Sequence, residues 1–303
     1  MHRAIGIEGK ERHSVKDMKK VFAILLAMVM VFSLAACSSG GGSEASGDTA
    51  EPANRLEAIK ARGYIEMATE PYFAPYEFID SSKSGDDQYQ GLDIELGKYI
   101  AEKLGVELRI VPLEFSAVLA SITEGKYDFA ASALAYSPGR AENMNMSKGY
   151  RFSDEVASYG FLVREDMADS IKEAADTADL VLVTQSGSVQ EGFVNDQIPA
   201  YKEFKLVSSM TDGFLMVSEG KADACACDIN NGQLYADANG GLAIAPFRFV
   251  VDESTQGTRV GIPKGEEELT EFINQCIDEL RAEGTIDKWY EEYSDYARQL
   301  GVD

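Results

Sequence analysis

Phe115-Ser116-Ala117-Val118-Leu119-Ala120-Ser121-Ile122-Thr123-Glu124-Gly125-Lys126-Tyr127-Asp128-Phe129-Ala130-Ala131-Ser132-Ala133 is the stretch that decides the fold. Phe115, Val118, Leu119 and Ile122 fall at i, i+3, i+4 and i+7, the spacing of an amphipathic helix. Gly125 fits the helix stop, and Tyr127 to Ala133 reads as a strand of small residues. The unit returns 95 residues later: Leu119 to Asp128 aligns with Phe214 to Asp223, with Glu124-Gly125-Lys126-x-Asp128 against Glu219-Gly220-Lys221-x-Asp223. A helix, a Gly-Lys-x-Asp turn and a small-residue strand in the same order twice predict two similar α/β lobes. The strand ends, Ser132-Ala133 in one lobe and Cys227-Asp228 in the other, should then reach the carboxyl edges of two sheets. Ligands of open α/β sheets bind outside that edge, so two facing edges predict a cleft between lobes.

Upstream, Tyr64 to Thr69 reads as strand, and Leu92 to Leu104 as a helix with Leu92, Leu96, Ile100 and Leu104 spaced by four. The alternation argues for an α/β sandwich whose folded part begins near Asn54. Before it lies a Gly/Ser/Ala/Glu-rich stretch without apolar periodicity, which reads as a tether over 37–53. Lys19 and Lys20 precede an uncharged run of sixteen residues, Val21 to Ala36. That run is short of the ~20 needed to span a bilayer and has the form of a secretory leader. It ends in Leu34-Ala35-Ala36-Cys37, which resembles the lipobox of bacterial lipoproteins, with cleavage before Cys37 and lipid on its thiol. Met18 begins a leader of ordinary design, so the true start is expected at Met18, with residues 1–17 an upstream start-site misassignment.

Removing 1–36 takes away six of 28 basic and three of 51 acidic residues; the 267 that remain carry 22 against 48, a net charge of −26. Such a chain repels nucleic acid and anionic lipid. Both histidines, His2 and His13, fall in the removed segment, so acid/base chemistry on histidine and His-ligated metal sites are excluded from the mature chain. Cys225, Cys227 and Cys276 remain beside Cys37: an odd number with no CxxC spacing, read as buried free thiols and not as a disulfide framework or zinc site. No cofactor or metal is called for.

From Asn54 onward the chain resembles the bacterial family 3 solute-binding proteins, the amino-acid-binding components of ABC importers. The resemblance rests on Thr69-Glu70-Pro71-Tyr72-Phe73-Ala74-Pro75-Tyr76-Glu77-Phe78, Gly91-Leu92-Asp93-Ile94-Glu95-Leu96 and Ala133-Leu134-Ala135-Tyr136-Ser137-Pro138-Gly139-Arg140. It continues in Gln185-Ser186-Gly187-Ser188, Gly220-Lys221-Ala222-Asp223 with Asp228, and Gly261-Ile262-Pro263-Lys264-Gly265. It implies a two-lobed, type II periplasmic-binding-protein-like α/β fold with the ligand between lobes.

In that family the arginine of the Ser/Thr-Pro-x-Arg segment, here Arg140, grips the ligand's α-carboxylate, a task its planar fork of donors suits. The loop and helix start Gly187-Ser188-Val189, following Gln185, would meet the same carboxylate with N–H groups. Asp228 would accept from the α-ammonium. Glu70 and Phe73 match positions that touch the ligand's distal part, and Phe115 matches an aromatic wall; an acid beside aromatic faces suits a cationic or polar side chain. Phe115 is equally explained as a core residue by its helical spacing. The wall formed by Ser132, Ala133 and Ala135 departs from the family's pattern: Ala135 and Val189 stand where hydroxyls are frequent, and Ala133 where Ser or Gly is usual. Asp93 and Glu95 read as structural acids favourable at a helix N-terminus.

The expected organisation places 54–157 and 258–303 in lobe one and 161–249 in lobe two, with hinges near 158–160 and 250–257. The expected protein is a membrane-anchored, extracytoplasmic, monomeric binding lipoprotein that delivers an amino acid to ABC permease subunits and is not an enzyme. Arginine, lysine, glutamine, histidine and cystine all fit such a pocket. The alternatives are an amino-acid-processing enzyme on the same scaffold, such as a dehydratase, and a sensory lipoprotein.

Overall fold

A computed structural model of the chain describes residues 52–152, 158–252 and 256–301. The expected leader, Cys37 and the tether up to residue 51 lie outside the described residues, as do 153–157, just before the first expected hinge, and 253–255, within the second. The fold begins where the sequence places it: the Asn54 side chain accepts from Glu57 N–H at 2.9 Å and caps helix α1 (Arg55–Arg62).

The first half then runs through β1 (Tyr64–Thr69), β2 (Phe78–Ile79), β3 (Tyr89–Gln90), α2 (Leu92–Leu104), β4 (Glu107–Pro112), α3 (Phe115–Thr123), β5 (Phe129–Ala135), α4 (Pro138–Asn143) and β6 (Met144–Met146). After the first crossing come β7 (Tyr159–Arg164), β8 (Val181–Gln185), α5 (Val189–Gln197), β9 (Glu203–Val207), α6 (Met210–Ser218), β10 (Ala224–Asp228), α7 (Ile229–Asn239) and β11 (Leu242–Arg248). The second crossing leads to β12 (Thr258–Pro263), α8 (Glu267–Ala282) and α9 (Thr285–Leu300).

Two five-stranded sheets result, ordered β4-β1-β5-β12-β6 and β9-β8-β10-β7-β11. In each, three parallel strands are followed by an antiparallel fourth. That fourth strand is the first one formed after the chain crosses over: β7 after the first crossing, β12 after the second. The expected α/β fold with two lobes is therefore observed. Tyr159 and Gly160 of the first expected hinge already belong to β7, paired with Asp228 and Cys227.

The repeat carries over to hydrogen bonds. Helices α3 and α6 share their boundaries at the 95-residue offset, and each is stopped by a left-handed glycine, Gly125 (φ 67°) or Gly220 (φ 70°). Lys126 N–H then bonds back to Ser121 O, and Lys221 N–H to Met216 O, both at 2.8 Å. Asp128 clasps the start of β1, accepting from Glu66 N–H at 2.7 Å; Asp223 does the same for β8 through Val181 N–H at 2.8 Å. These turns use up residues 126–128, so the strand expected from Tyr127 begins at Phe129 instead.

Alternation along the central strands divides the cores. Phe129 and Ala131 face the large cluster with Ile65, Met67, Leu96, Ile273 and Ile277, whereas Ala130 and Leu134 face Val118 and Ile122. In β10, Cys225 and Cys227 point to one side, Ala224 and Ala226 to the other. All three cysteines in the described residues are free and buried. Room for the β10 thiols comes from Gly213 and Gly232, where a Cβ would meet sulfur at 2.9 and 2.8 Å.

The two copies of the unit differ at the helix start. Ser209 accepts from Asp212 N–H at 3.1 Å and caps α6, whereas Glu114 gives α3 no side-chain cap. Ser209→Ala should therefore lower stability by about 1 kcal/mol. Denaturant melts checking this should show a lower midpoint with an unchanged slope; an unchanged midpoint would mean that packing alone holds the helix start.

Candidate functional site

The carboxyl edges of the two sheets face each other across a cleft. Its inner chamber, about 50 Å³, is lined by all eleven residues singled out from the sequence: Glu70, Phe73, Phe115, Ser132, Ala133, Ala135, Arg140, Gln185, Ser188, Val189 and Asp228. An outer chamber of about 730 Å³ shares Ala135, Arg140, Ser188, Val189 and Asp228 with it.

Arg140 lies in α4, whose start is fixed by Pro138 and by Ser137, the side chain of which accepts from Arg140 N–H at 3.2 Å. The guanidinium donates to Ala135 O at 2.7 Å and, across the cleft, to Gly187 O at 3.0 Å, with its carbon 5.4 Å from the Phe115 ring centre. Among the described residues no carboxylate forms an ion pair with it. Burial lowers its pKa to about 10, still charged at neutral pH. A half-buried guanidinium whose partners among the described residues are carbonyls is a ready partner for an incoming carboxylate.

Opposite it, Asp228 ends β10 and caps α7: its Oδ1 accepts from Asn230 N–H at 2.8 Å and from Asn231 N–H at 3.2 Å. Burial raises its pKa to about 6, against the pull of those two bonds and of Arg151. Ser188 caps α5 by accepting from Glu191 N–H at 3.2 Å while donating to Gln185 O at 2.7 Å. The first-turn N–H groups beyond it, on Val189 and Gln190, lack acceptors within the helix, as at any helix N-terminus. Gly187 N–H is taken by the Glu191 carboxylate at 2.7 Å, which withdraws one of the expected backbone donors.

Glu70 is 2 % exposed and not a solvated surface acid. Its Oε1 accepts from Gln185 Nε2 at 2.7 Å across the cleft, and Gln185 Nε2 also reaches Ser208 O at 3.0 Å. Burial, with Asp212 and Glu114 adding to it, pushes the Glu70 carboxyl up to about 8, so it is largely protonated at neutral pH. Phe115 is both things considered for it, a member of the cluster around Val118 and Ile122 and a wall of the chamber.

Sequence reasoning missed Tyr76, Glu77, Tyr159, Gln190, Met210 and Thr258, which also line the chamber. Met210 was within reach: it is the 95-residue equivalent of Phe115, just as Asp228 is the equivalent of Ala133. Tyr76 and Glu77 stood inside a quoted segment without a role. Asp93, read from the sequence as an acid favourable at a helix N-terminus, is fully buried. Among the described residues no cluster of His, Cys, Asp or Glu is arranged to hold a metal ion.

The description "Bacterial extracellular solute-binding proteins, family 3" matches residues 65–296. The chain belongs to this family. Among its curated relatives is the L-cystine-binding protein TcyA of Bacillus subtilis (strain 168), 24% identical over 280 residues that cover 91% of this chain and 98% of TcyA. Among solved structures, the amino acid ABC transporter substrate-binding protein AbpA of Streptococcus pneumoniae, bound to L-arginine, superposes with a TM-score of 0.73 at 28% identity, covering 82% of this chain and 99% of AbpA. The ancestral amino acid-binding protein AncCDT-1, a precursor of cyclohexadienyl dehydratase, superposes with a TM-score of 0.68 at 27% identity over 80% of this chain and 99% of its own. Membership of family 3 places this solute-binding protein outside the cytoplasm.

Proposed function

We propose that this family 3 protein is the substrate-binding lipoprotein of an ABC importer and closes on a free, polar amino acid. The observation that carries the reading is the pairing of Arg140, charged and without an acid partner among the described residues, with the Asp228 carboxyl on the opposite wall of one cleft. An α-amino acid is the small molecule that presents a carboxylate and an ammonium to such a pair, and bridging both lobes favours the closed arrangement. Similarity to cystine- and arginine-binding proteins supports the class. A binding screen of the twenty amino acids and cystine tests it. Polar amino acids should outrank leucine and valine, and equal affinity for leucine would place specificity outside Glu70.

Lobe one would comprise 54–157 and 258–303 and lobe two 161–249, with the crossings near 158–160 and 250–257 as hinges. The permease subunits are the partners of the monomeric protein. No helix among the described residues is long and apolar enough to cross a membrane. The proposed anchor is lipid on Cys37, so Cys37→Ser should move the protein from the membrane fraction to the soluble fraction. Undiminished membrane retention would contradict the anchor.

The distal group of the ligand meets Glu70. A cationic side chain requires that carboxyl to be ionised, and its pKa of about 8 is above the ordinary range. Affinity for a cationic ligand should therefore rise with pH up to about 8, whereas affinity for a neutral one should not follow that titration. Glu70→Gln should remove the slope and weaken a cationic ligand by about 1.5 to 3 kcal/mol, and a neutral one much less. Calorimetry across pH 6 to 9 checks this; equal weakening of every ligand would make Glu70 structural.

A second reading has one observation in its favour, the protonated, buried Glu70 in a chain similar to a dehydratase precursor. A general acid of this kind could protonate a hydroxyl as its C–O bond breaks, so that it departs as water. Against it stands the lack of any histidine after residue 36. Mass spectrometry of a bound amino acid should show no turnover.

A further inference from the structure

Behind the Ser132–Ala133 wall lie two carboxyl groups, Glu77 and Asp93, both 0 % exposed and brought together by their bonds to the adjacent residues Ser132 and Ala133. Neither forms an ion pair among the described residues. Two neighbouring carboxylates, buried and without a cation, cannot both ionise. The donors around them say which one keeps the proton. Asp93 accepts from Tyr150 Oη at 2.7 Å on Oδ1 and from Ala133 N–H at 2.8 Å on Oδ2. Glu77 accepts one bond, from Ser132 Oγ at 3.1 Å on Oε1, and its buried Oε2 has no other partner. The better-solvated anion is Asp93, and the orphaned Glu77 Oε2 is satisfied when it carries the proton and donates it to Asp93.

We propose that Glu77 and Asp93 share one proton, held on Glu77 Oε2, and that this pair is the positioning device for the Ser132–Ala133 wall of the cleft. Ala133 is the one non-glycine among the described residues with positive φ, at 46°, a conformation unfavourable for a residue with a Cβ. Its N–H donates to Asp93, which anchors that strained irregularity of β5. Ser132 Oγ, while donating to Glu77, accepts from Glu70 N–H at 3.0 Å. The same pair thus sets the backbone of Glu70, Ser132 and Ala133, three residues of the inner chamber. The consequence for ligand binding rests on the function proposed above; the shared proton and the anchoring of Ala133 do not.

The titratable groups facing the pair are Glu70, whose charge opposes a second negative one, and the neutral phenols of Tyr76 and Tyr150, of which Tyr150 donates to Asp93; Arg151 acts on Tyr76. Burial and the neighbouring Asp93 hold the Glu77 carboxyl well above the usual carboxylate range, and burial raises Asp93 to about 6.

The test uses the ligand-free, full-length protein at pH 7. Infrared spectroscopy should show carboxylic-acid carbonyl absorption from Glu70 and Glu77, and the Glu77 share should be lost in Glu77→Gln, a variant that still presents an N–H donor to Asp93. Hydrogen exchange read at the Ala133 amide should stay within about threefold of the parent in Glu77→Gln and speed up by at least about tenfold in Asp93→Asn. If Asp93→Asn does not fold, Tyr150→Phe takes its place: removing one donor from Asp93 should shift the infrared band and speed Ala133 exchange. Acid absorption that is not reduced in Glu77→Gln would overturn the shared proton. Unchanged Ala133 exchange in the folded Asp93 or Tyr150 variant would overturn the positioning role. Neither outcome depends on whether L-arginine or L-cystine binds, so failure of the proposed function is read separately, by titrating those two probes.

Discussion

Arg140→Ala is expected to weaken binding of the amino acid by about 2 to 5 kcal/mol, roughly thirty- to several-thousand-fold. The size follows from two losses that act together. The guanidinium fork is gone, and the ligand's carboxylate is left desolvated against carbonyls and first-turn N–H groups that cannot neutralise it. The fold should be spared, because the side chain's protein partners are the carbonyls of Ala135 and Gly187, which open onto the cleft. Ligand-free melting of the variant close to the parent is the necessary control. Arg140→Lys should recover part of the affinity, since it restores charge but not the two-pronged geometry. Near-normal calorimetric affinity in Arg140→Ala would move the carboxylate elsewhere.

Asp228→Asn should produce the second large loss, again on the order of 2 kcal/mol or more, by leaving the α-ammonium without its counter-charge. Asparagine caps helices about as well as aspartate, so α7 should remain in place and the effect should be on binding alone. Two further signs identify the mechanism. Ligands lacking the α-amino group should bind the parent poorly, and the gap between them and the amino acid should shrink in Asp228→Asn. The Asp228 carboxyl, raised by burial to about 6, must be ionised to do its work, so affinity for every amino acid should fall as pH drops through about 6. That dependence is common to all ligands, which is why the contrast between cationic and neutral ones isolates Glu70.

Much of this was legible in the sequence because it depends on local chemistry repeated in register. The Gly-Lys-x-Asp turn needs a left-handed glycine and an aspartate that reaches the neighbouring strand, and both copies supply them, at Gly125 and Asp128 and at Gly220 and Asp223. The same offset aligns Phe115 with Met210 and Ala133 with Asp228, four residues of one chamber. The roles that could not be read are set by tertiary contacts. Glu70 reads as an acid ready for a cation, but only the folded chamber buries it, bonds it to Gln185 from the other sheet and keeps it largely protonated. Asp93 reads as a favourable acid at a helix start; its distance from solvent, and its partnership with Glu77 and Ala133, follow from how the 75–77 segment packs over α2. At Gly91 in that contact, a Cβ would come within 2.1 Å of Tyr76 O, so the approach that buries the pair depends on glycine.

The most direct measurement is a calorimetric titration of the unmodified protein with each amino acid and with the amine that remains when its α-carboxyl group is removed. The account predicts that at least one polar amino acid binds and that its decarboxylated amine loses about 2 kcal/mol or more, with the loss largely abolished in Arg140→Ala. Amines that bind as tightly as their parent amino acids, or a protein that binds no amino acid, would contradict it.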